Sequence, residues 1–222
     1  MNLLVVKVGG AVAGGIAAHI DALQADGHNL VVVHGAGPQI SAEMEAAGIP
    51  VEFVDGRRVT TAAGMTVVAA ALASVNASIC ASLGPRALGL HGDEIGLAAT
   101  PVPALGLVGD ALPCSPPAIS EALAHSLIPV VSPLAAGPLN VNADQVAAAL
   151  AIGLGAERLL FLTDVEGLLL DGVVVARITP DAASALLAGG TLEGGIIPKL
   201  GAAVTAARAG VPAMIGRTVV TA

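Results

Sequence analysis

The chain has 222 residues, 55% of them hydrophobic and 12% charged, with a formal net charge of −8; that is enough apolar material to bury a core, and it excludes a disordered polyelectrolyte. Nine Lys and Arg face seventeen acids, and Phe53 and Phe161 are the only Phe, Tyr or Trp rings, so there is no basic stripe for a phosphate backbone, no nucleic acid is expected as a partner, and a small ligand is. Cys80 and Cys114 fall in no C-x-x-C or metal-spaced pattern, which predicts reduced thiols in a cytoplasmic protein.

Leu3–Val8 is an apolar run ended by Gly9 and Gly10, which predicts a strand buried on both faces. Lys7 interrupts it, and with no basic region ahead of the run this argues against a secretion signal. A strand built for stability would carry a valine at position 7, because an unpaired ammonium is costly to remove from water. In GIAAHIDALQADG, Ile16, Ile20 and Leu23 recur at helical spacing and predict a helix before the next apolar run, Leu30–Val33. GPQISAEMEAAG predicts a second helix, with Pro38 in its first turn and Gly48 as its stop.

Val59 to Pro85 carries no charge and exceeds the roughly 20 residues a membrane span needs. Its bulk is alanine, interspersed with Thr60, Thr61, Thr66, Ser74, Asn76, Ser78 and Ser82 and without an aromatic belt, so the expectation is a buried helix and no membrane. Asp93 in HGDE reads as a surface turn residue. The Pro-rich ALPCSPPAIS around residue 115 suggests a divide between a substrate half, about 1–135, and a nucleotide half, about 136–222, of one domain. Apolar runs Ile128–Val131 and Leu159–Leu162 continue the strand and helix alternation. The prediction is an α/β fold, a three-layer αβα sandwich with a mainly parallel central sheet and ligands at the carboxyl ends of the strands.

Two lysines occur in the whole chain, Lys7 and Lys199, each beside a glycine pair. Pro198 marks a first helical turn, which puts Lys199 at the positive end of a helix dipole, where a cation is disfavoured by roughly 0.3–1 kcal/mol. A phosphate resolves both anomalies, because glycine amides, a helix start and two ammonium groups together bind an anion. No Walker motif is present, and HGAGPQI matches the dinucleotide fingerprint G-x-G-x-x-G poorly, since Ile40 stands at its last position; a dinucleotide-dependent oxidoreductase would rest on that stretch alone. In NVNADQVAAALA, Asn142 and Gln145 fit a capping box and Asp144 a first-turn acid. A second reading, in which Asp144 orients the two lysines, stands level with that one on physical grounds.

VKVGG at 6–10, VVVHGAGPQI at 31–40, DGRRVT at 55–60, LNVNADQVAAALA at 139–151, LTDVEG at 162–167 and GGIIPKLGAA at 194–203 resemble, in order, the motifs of the acetylglutamate kinases of the amino acid kinase family. The resemblance implies the amino acid kinase fold and ATP-dependent phosphorylation of the side-chain carboxylate of N-acetyl-L-glutamate, in arginine biosynthesis. It implies Lys7 and Lys199 as the catalytic cations with Asp144 holding both. Gly35, Ala36, Gly37, Arg58, Asn140 and Asn142 would meet the substrate, and Gly9, Gly10, Thr163, Asp164, Gly167, Gly194 and Gly195 the nucleotide. Mg²⁺ would be carried by the phosphates of ATP and by water, with no metal ligand from the chain. The alternatives are a relative acting on carrier-bound or acylated aminoadipate, and an inactive ligand-binding homologue.

Ala36 stands where the family has the middle glycine of a triplet, Ala77 follows Asn76 where a lysine is common, the segment between Gly167 and Gly194 is short, and VPAMIGRTVVTA lacks a helix before its final strand. A homodimer without arginine feedback is expected. His34 is expected to brace the glycine loop, and histidines 19, 28, 91 and 125 to be structural or exposed. Lys7→Ala and Lys199→Ala are each expected to depress kcat far more than they disturb folding, and Lys7→Met is expected to raise the melting temperature.

Overall fold

The computed structural model describes residues 2–9 and 15–222. Eight strands form its central sheet: β1 (Leu3–Val8), β2 (Asn29–His34), β5 (Ala87–His91), β8 (Ile128–Ser132), β11 (Arg158–Leu162), β14 (Arg177–Ile178), β15 (Ala213–Ile215) and β16 (Thr218–Val220). Their order across the sheet is β14-β16-β15-β11-β1-β2-β8-β5. Every pairing is parallel except that of β15 with β16, which a turn at Gly216 and Arg217 joins directly. No helix intervenes before the last strand.

The alternation of side chains along β1 sorts its residues between two layers. Leu3 and Val5 join a core cluster with Val146, Leu150 and Leu200, from α5 (Ala143–Gly153) and α7 (Ile196–Arg208). Leu4, Val6 and Val8 join another with Ile16, Ile20, Ile79 and Leu83, from α1 (Ile16–Ala25) and α3 (Ala62–Leu83). The expected αβα sandwich follows. Lys7 shares its parity with Leu3 and Val5, so it points to the layer of α5 and α7.

Two further helices, α4 (Pro117–Ala124) and α6 (Pro180–Ala188), and α2 (Gly37–Ala46) complete the set; α2 starts with Pro38 in its first turn and runs into Gly48, at φ 66°. α3 departs from expectation. It is long and apolar enough to cross a bilayer, but burial is confined to one face, with Met65, Val68, Leu72, Asn76 and Ile79 turned inward and Ala63, Ala70, Ser74, Ala77 and Ala81 exposed. Small side chains on the outer face leave the helix half buried rather than enclosed. α7 begins two residues before Pro198, at Ile196 with Gly195 as its cap.

A second sheet of four strands lies over the carboxyl ends of the first. It runs in the order β6 (Ala99–Pro101), β7 (Val108–Ala111), β10 (Leu139–Val141) and β9 (Leu134–Ala135). Two hairpins stand apart: β3 (Phe53–Val54) with β4 (Arg57–Arg58), and β12 (Leu169–Leu170) with β13 (Val173–Val174). The first turns through Asp55 and Gly56, at φ 49° and 74°, the two positive values that an Asp-Gly hairpin turn requires.

Candidate active site

The charge that Lys7 needs comes from α5. Asn142 caps this helix by accepting from the Asp144 and Gln145 amides at 2.8 and 3.4 Å, which aims the first turn at the carboxyl end of β1. The Lys7 ammonium lies 2.8 Å from Asp144 Oδ1, with side-chain exposures of only 9% and 5%. The contact is an ion pair without good hydrogen-bond geometry, since Oδ1 accepts no hydrogen bond. Lys199 Nζ lies 3.9 Å from Oδ2 of the same carboxylate and donates to the Gly195 carbonyl at 3.2 Å. Burial lowers the Lys199 pKa from its ordinary value; Asp144 opposes that shift, Lys7 adds to it and Asp164 opposes it. One buried carboxylate therefore holds two ammonium groups on either side of a single point. Of the two readings of Asp144, the geometry favours the second, with its place as a first-turn acid retained. The capping box is half formed: the Gln145 side chain does not return to Asn142 but donates to Asp110 Oδ1 at 3.3 Å.

Beside this cluster is a cleft of about 220 Å³ lined by Lys7, Gly35, Ala36, Gly37, Arg58, Asn140, Asn142 and Asp144, with Ile40, Phe53, Leu72 and Val108 as apolar walls. Arg58 is not a solvated loop residue. It is 6% exposed, donates to the Gly37 carbonyl at 3.1 Å and to Ser41 Oγ at 2.8 Å, and stacks over the Phe53 ring at 4.6 Å. Burial lowers its pKa, and a guanidinium stays charged throughout. Asn140 donates to Thr60 Oγ1 at 3.0 Å, and Thr60 donates to the Arg58 carbonyl at 2.9 Å, so the Asn140 side chain also shapes the strand that presents Arg58.

The glycine loop 35–37 follows β2. The Ala36 side chain is buried with Ile40, Met44 and Leu72, so the methyl absent from the usual glycine packs into the core. Beneath the loop, His34 is 1% exposed. Asn76 Nδ2 donates to His34 Nε2 at 3.1 Å and to the Val130 carbonyl at 2.8 Å. With Nε2 accepting, Nδ1 carries the proton and donates to the Gly35 carbonyl at 3.4 Å. Burial, chiefly, lowers the His34 pKa to about 4; the imidazole is a neutral brace for the loop, as expected.

On the nucleotide side the residues are less closely gathered. Gly9 donates to the Leu162 carbonyl at 3.1 Å; Gly10 lies outside the described residues. Asp164 accepts from Thr163 Oγ1 at 3.2 Å, and Gly194 and Gly195 lead into α7 beside Lys199. Gly167, at φ 147°, is buried against Thr218, whose Oγ1 a Cβ would approach to 2.6 Å; packing alone requires that glycine. Asp93 sits in the predicted turn, half buried.

Phe53, Arg57 and Asp110 were not among the residues singled out from the motifs. Arg57 ion-pairs with Asp110, 53 positions away. FVDGRR held the available signal, an Asp-Gly pair marking a hairpin whose successive residues face opposite ways.

A family model, described as the amino acid kinase family, matches residues 2–217. The acetylglutamate kinase of Rubrobacter xylanophilus is 42% identical over 97% of this chain and 88% of its own length. That of Chloroflexus aggregans is 43% identical over 82% of this chain and 77% of its own. Among solved structures, smu.665 from Streptococcus mutans UA159 superposes with a TM-score of 0.91 at 31% identity, over 99% of this chain and 98% of that one. A carbamate kinase from Giardia lamblia bound to AMP-PNP shares the fold, with a TM-score of 0.76 at 15% identity over 99% and 98% of the two chains.

Proposed function

The chain belongs to the amino acid kinase family, and on that footing we propose that it transfers the γ-phosphoryl group of ATP to the side-chain carboxylate of N-acetyl-L-glutamate, the step of arginine biosynthesis that yields an acyl phosphate. The observation that carries this reading is the pair of ammonium groups held by Asp144 beside a cleft that Lys7, Asp144 and Arg58 line together.

A carboxylate is already a nucleophile at neutral pH, so no general base is needed. The barrier is electrostatic, an anion approaching a highly charged phosphate, and the chemistry rests on positioning and charge neutralisation. Arg58 and Asn140 hold the acceptor, with the Gly35–Gly37 amides and Asn142 around it. Lys7 and Lys199 receive the charge that builds on the transferring oxygens, and Asp144 keeps them from separating. Gly9, Thr163, Asp164, Gly194 and Gly195 line the nucleotide side, to which the K-x-G-G motif also assigns Gly10. Mg²⁺ enters on the phosphates of ATP and on water, where it neutralises charge. Residues to about 135 mainly serve the acceptor and those from about 136 mainly the nucleotide, with Asn140 and Asn142 reaching back to the acceptor and Gly9 across to the nucleotide.

The protein acts in the cytoplasm, in keeping with its two free thiols. It works as a homodimer; the open edge of β5 and the exposed face of α3 support this, and sedimentation equilibrium checks it. The reaction is tested by incubating the protein with ATP, Mg²⁺, N-acetyl-L-glutamate and hydroxylamine. Hydroxamate that requires all components supports the assignment; none with this acceptor, under conditions where a known acetylglutamate kinase gives it, refutes it.

A further inference from the structure

Arg57 and Arg58 are neighbours on β4 and face opposite ways. Both line the acceptor cleft, but Arg58 is buried against Gly37 and Ser41, whereas the Arg57 guanidinium turns to the second sheet, where its NH1 lies 2.8 and 3.0 Å from the two Asp110 oxygens. Asp110, on β7, also accepts from Gln145 Nε2 at 3.3 Å. Gln145 directly follows Asp144. The chain Arg57, Asp110, Gln145 thus links the residue next to Arg58 with the residue next to the carboxylate that holds both lysines.

Arg58, Lys7 and Asp144 line one cleft. An acceptor gripped by Arg58 must place its reacting carboxylate beside Lys7 and Lys199, so the separation of Arg58 from the lysines sets how many methylenes fit between them. β3 and β4 pair only with each other; Arg58 ties the hairpin to Gly37 and Ser41, and Thr60 ties it to Asn140 and to the Leu105 carbonyl, but none of these hydrogen bonds runs to α5, the helix that carries Asp144. The Gln145 orientation is fixed by the same contact, because Nε2 is engaged on Asp110 while Oε1 is buried without a partner, an arrangement that costs stability and is not expected of a cap alone.

Building on the reaction proposed above, we propose that Arg57 and Asp110 are positioning residues that fix acceptor length, selecting a five-carbon dicarboxylate over its one-carbon-longer homologue. The pair is half exposed, at 24% and 44% of the two side chains, so its loss leaves the fold nearly as stable and its worth is expressed in selectivity.

The test measures kcat and KM for N-acetyl-L-glutamate and N-acetyl-L-2-aminoadipate in the wild type, Arg57→Gln, Asp110→Asn and the double variant. One methylene is ordinarily discriminated roughly 10–200-fold in kcat/KM. Each single variant is expected to lower that ratio by about fivefold or more, mainly through a higher KM for N-acetyl-L-glutamate, with the double variant no worse than either single one, as for two halves of one contact. A ratio retained in either single variant, a loss confined to Arg57→Gln, or losses that multiply in the double variant overturn the proposal. Wild-type turnover tests the reaction separately: if the wild type prefers another carboxylate, the same four proteins are compared on that carboxylate and its one-carbon neighbours, and a wild type that phosphorylates none overturns both readings.

Discussion

The Lys7 ammonium and the Asp144 carboxylate lie 2.8 Å apart, one at the carboxyl end of a central strand and the other in the first turn of the helix laid across it. Each explains the other's burial. An ammonium at the end of a fully buried strand is tolerated because a carboxylate meets it there, and that carboxylate is tolerated because a second lysine stands on its far side.

The pairing reverses the expectation for Lys7→Met. Removing the ammonium leaves Asp144 buried with only Lys199 at 3.9 Å, and breaking a buried pair from one side costs about 3 kcal/mol or more. Differential scanning calorimetry should show a melting temperature lower by roughly 6–12 °C. The double variant Lys7→Met, Asp144→Leu should recover most of that loss, with both proteins losing activity by roughly 10²–10³-fold or more. An unchanged melting temperature in Lys7→Met would contradict the buried pair.

The Lys199 ammonium carries a lowered pKa, chiefly through burial. Its loss of a proton removes a catalytic charge, so kcat/KM of the free enzyme should fall on an alkaline limb lying below the usual lysine range. Lys199→Arg should lose that limb while keeping some activity, because a guanidinium does not titrate there. The sign for stability is the opposite: the unfolded lysine holds its proton to higher pH than the folded one, so this group's contribution rises as pH increases through the folded value. A limb that survives in Lys199→Arg rules out this assignment.

His34 titrates at about 4 in the folded chain against an ordinary value near 6.5. Between those values the unfolded chain binds the proton and the folded one does not. The stability of the neutral form is therefore complete above about pH 6.5 and is lost as pH falls towards 4, by about 3 kcal/mol. In His34→Gln, where an amide oxygen can still accept from Asn76, urea unfolding should show a shallower acid slope over this window. An equal slope in both proteins would mean that other groups set it.

Gly153, at the end of α5, has the Cys114 backbone against it: an added Cβ would lie 2.0 Å from the Cys114 carbonyl oxygen. Gly153→Ala should cost about 1–3 kcal/mol and roughly 3–10 °C in melting temperature while kcat stays within about twofold, since the site lies at the other end of the helix. A change in kcat without loss of stability would be at odds with a packing role.

Much of the fold could be read from periodicity. Four apolar runs became β1, β2, β8 and β11, and Pro38 and Gly48 bracketed α2, because long elements write their burial into the chain. Two-residue strands such as β3 and β4 have no period to read, and α3 read as fully buried because alanine is equally at home on either face. At the site, Lys7 and Lys199 were legible as cations where structure alone would not place them. Asp144 was ambiguous, since its first-turn position explains it equally well. The contact between Arg57 and Asp110 was not legible at all: 53 residues separate the partners, and only the fold brings them together. Gln145 shows the same limit, because its spacing suggested a capping box while a tertiary partner took its amide.

The most direct measurement is a crystal structure with AMP-PNP, Mg²⁺ and N-acetyl-L-glutamate bound. The account predicts both Lys7 Nζ and Lys199 Nζ within about 3 Å of oxygens on the terminal phosphoryl group, with Asp144 still between them and the acceptor carboxylate in line with the bond to be broken. A terminal phosphate that contacts neither lysine, or an acceptor bound away from Arg58, would contradict it.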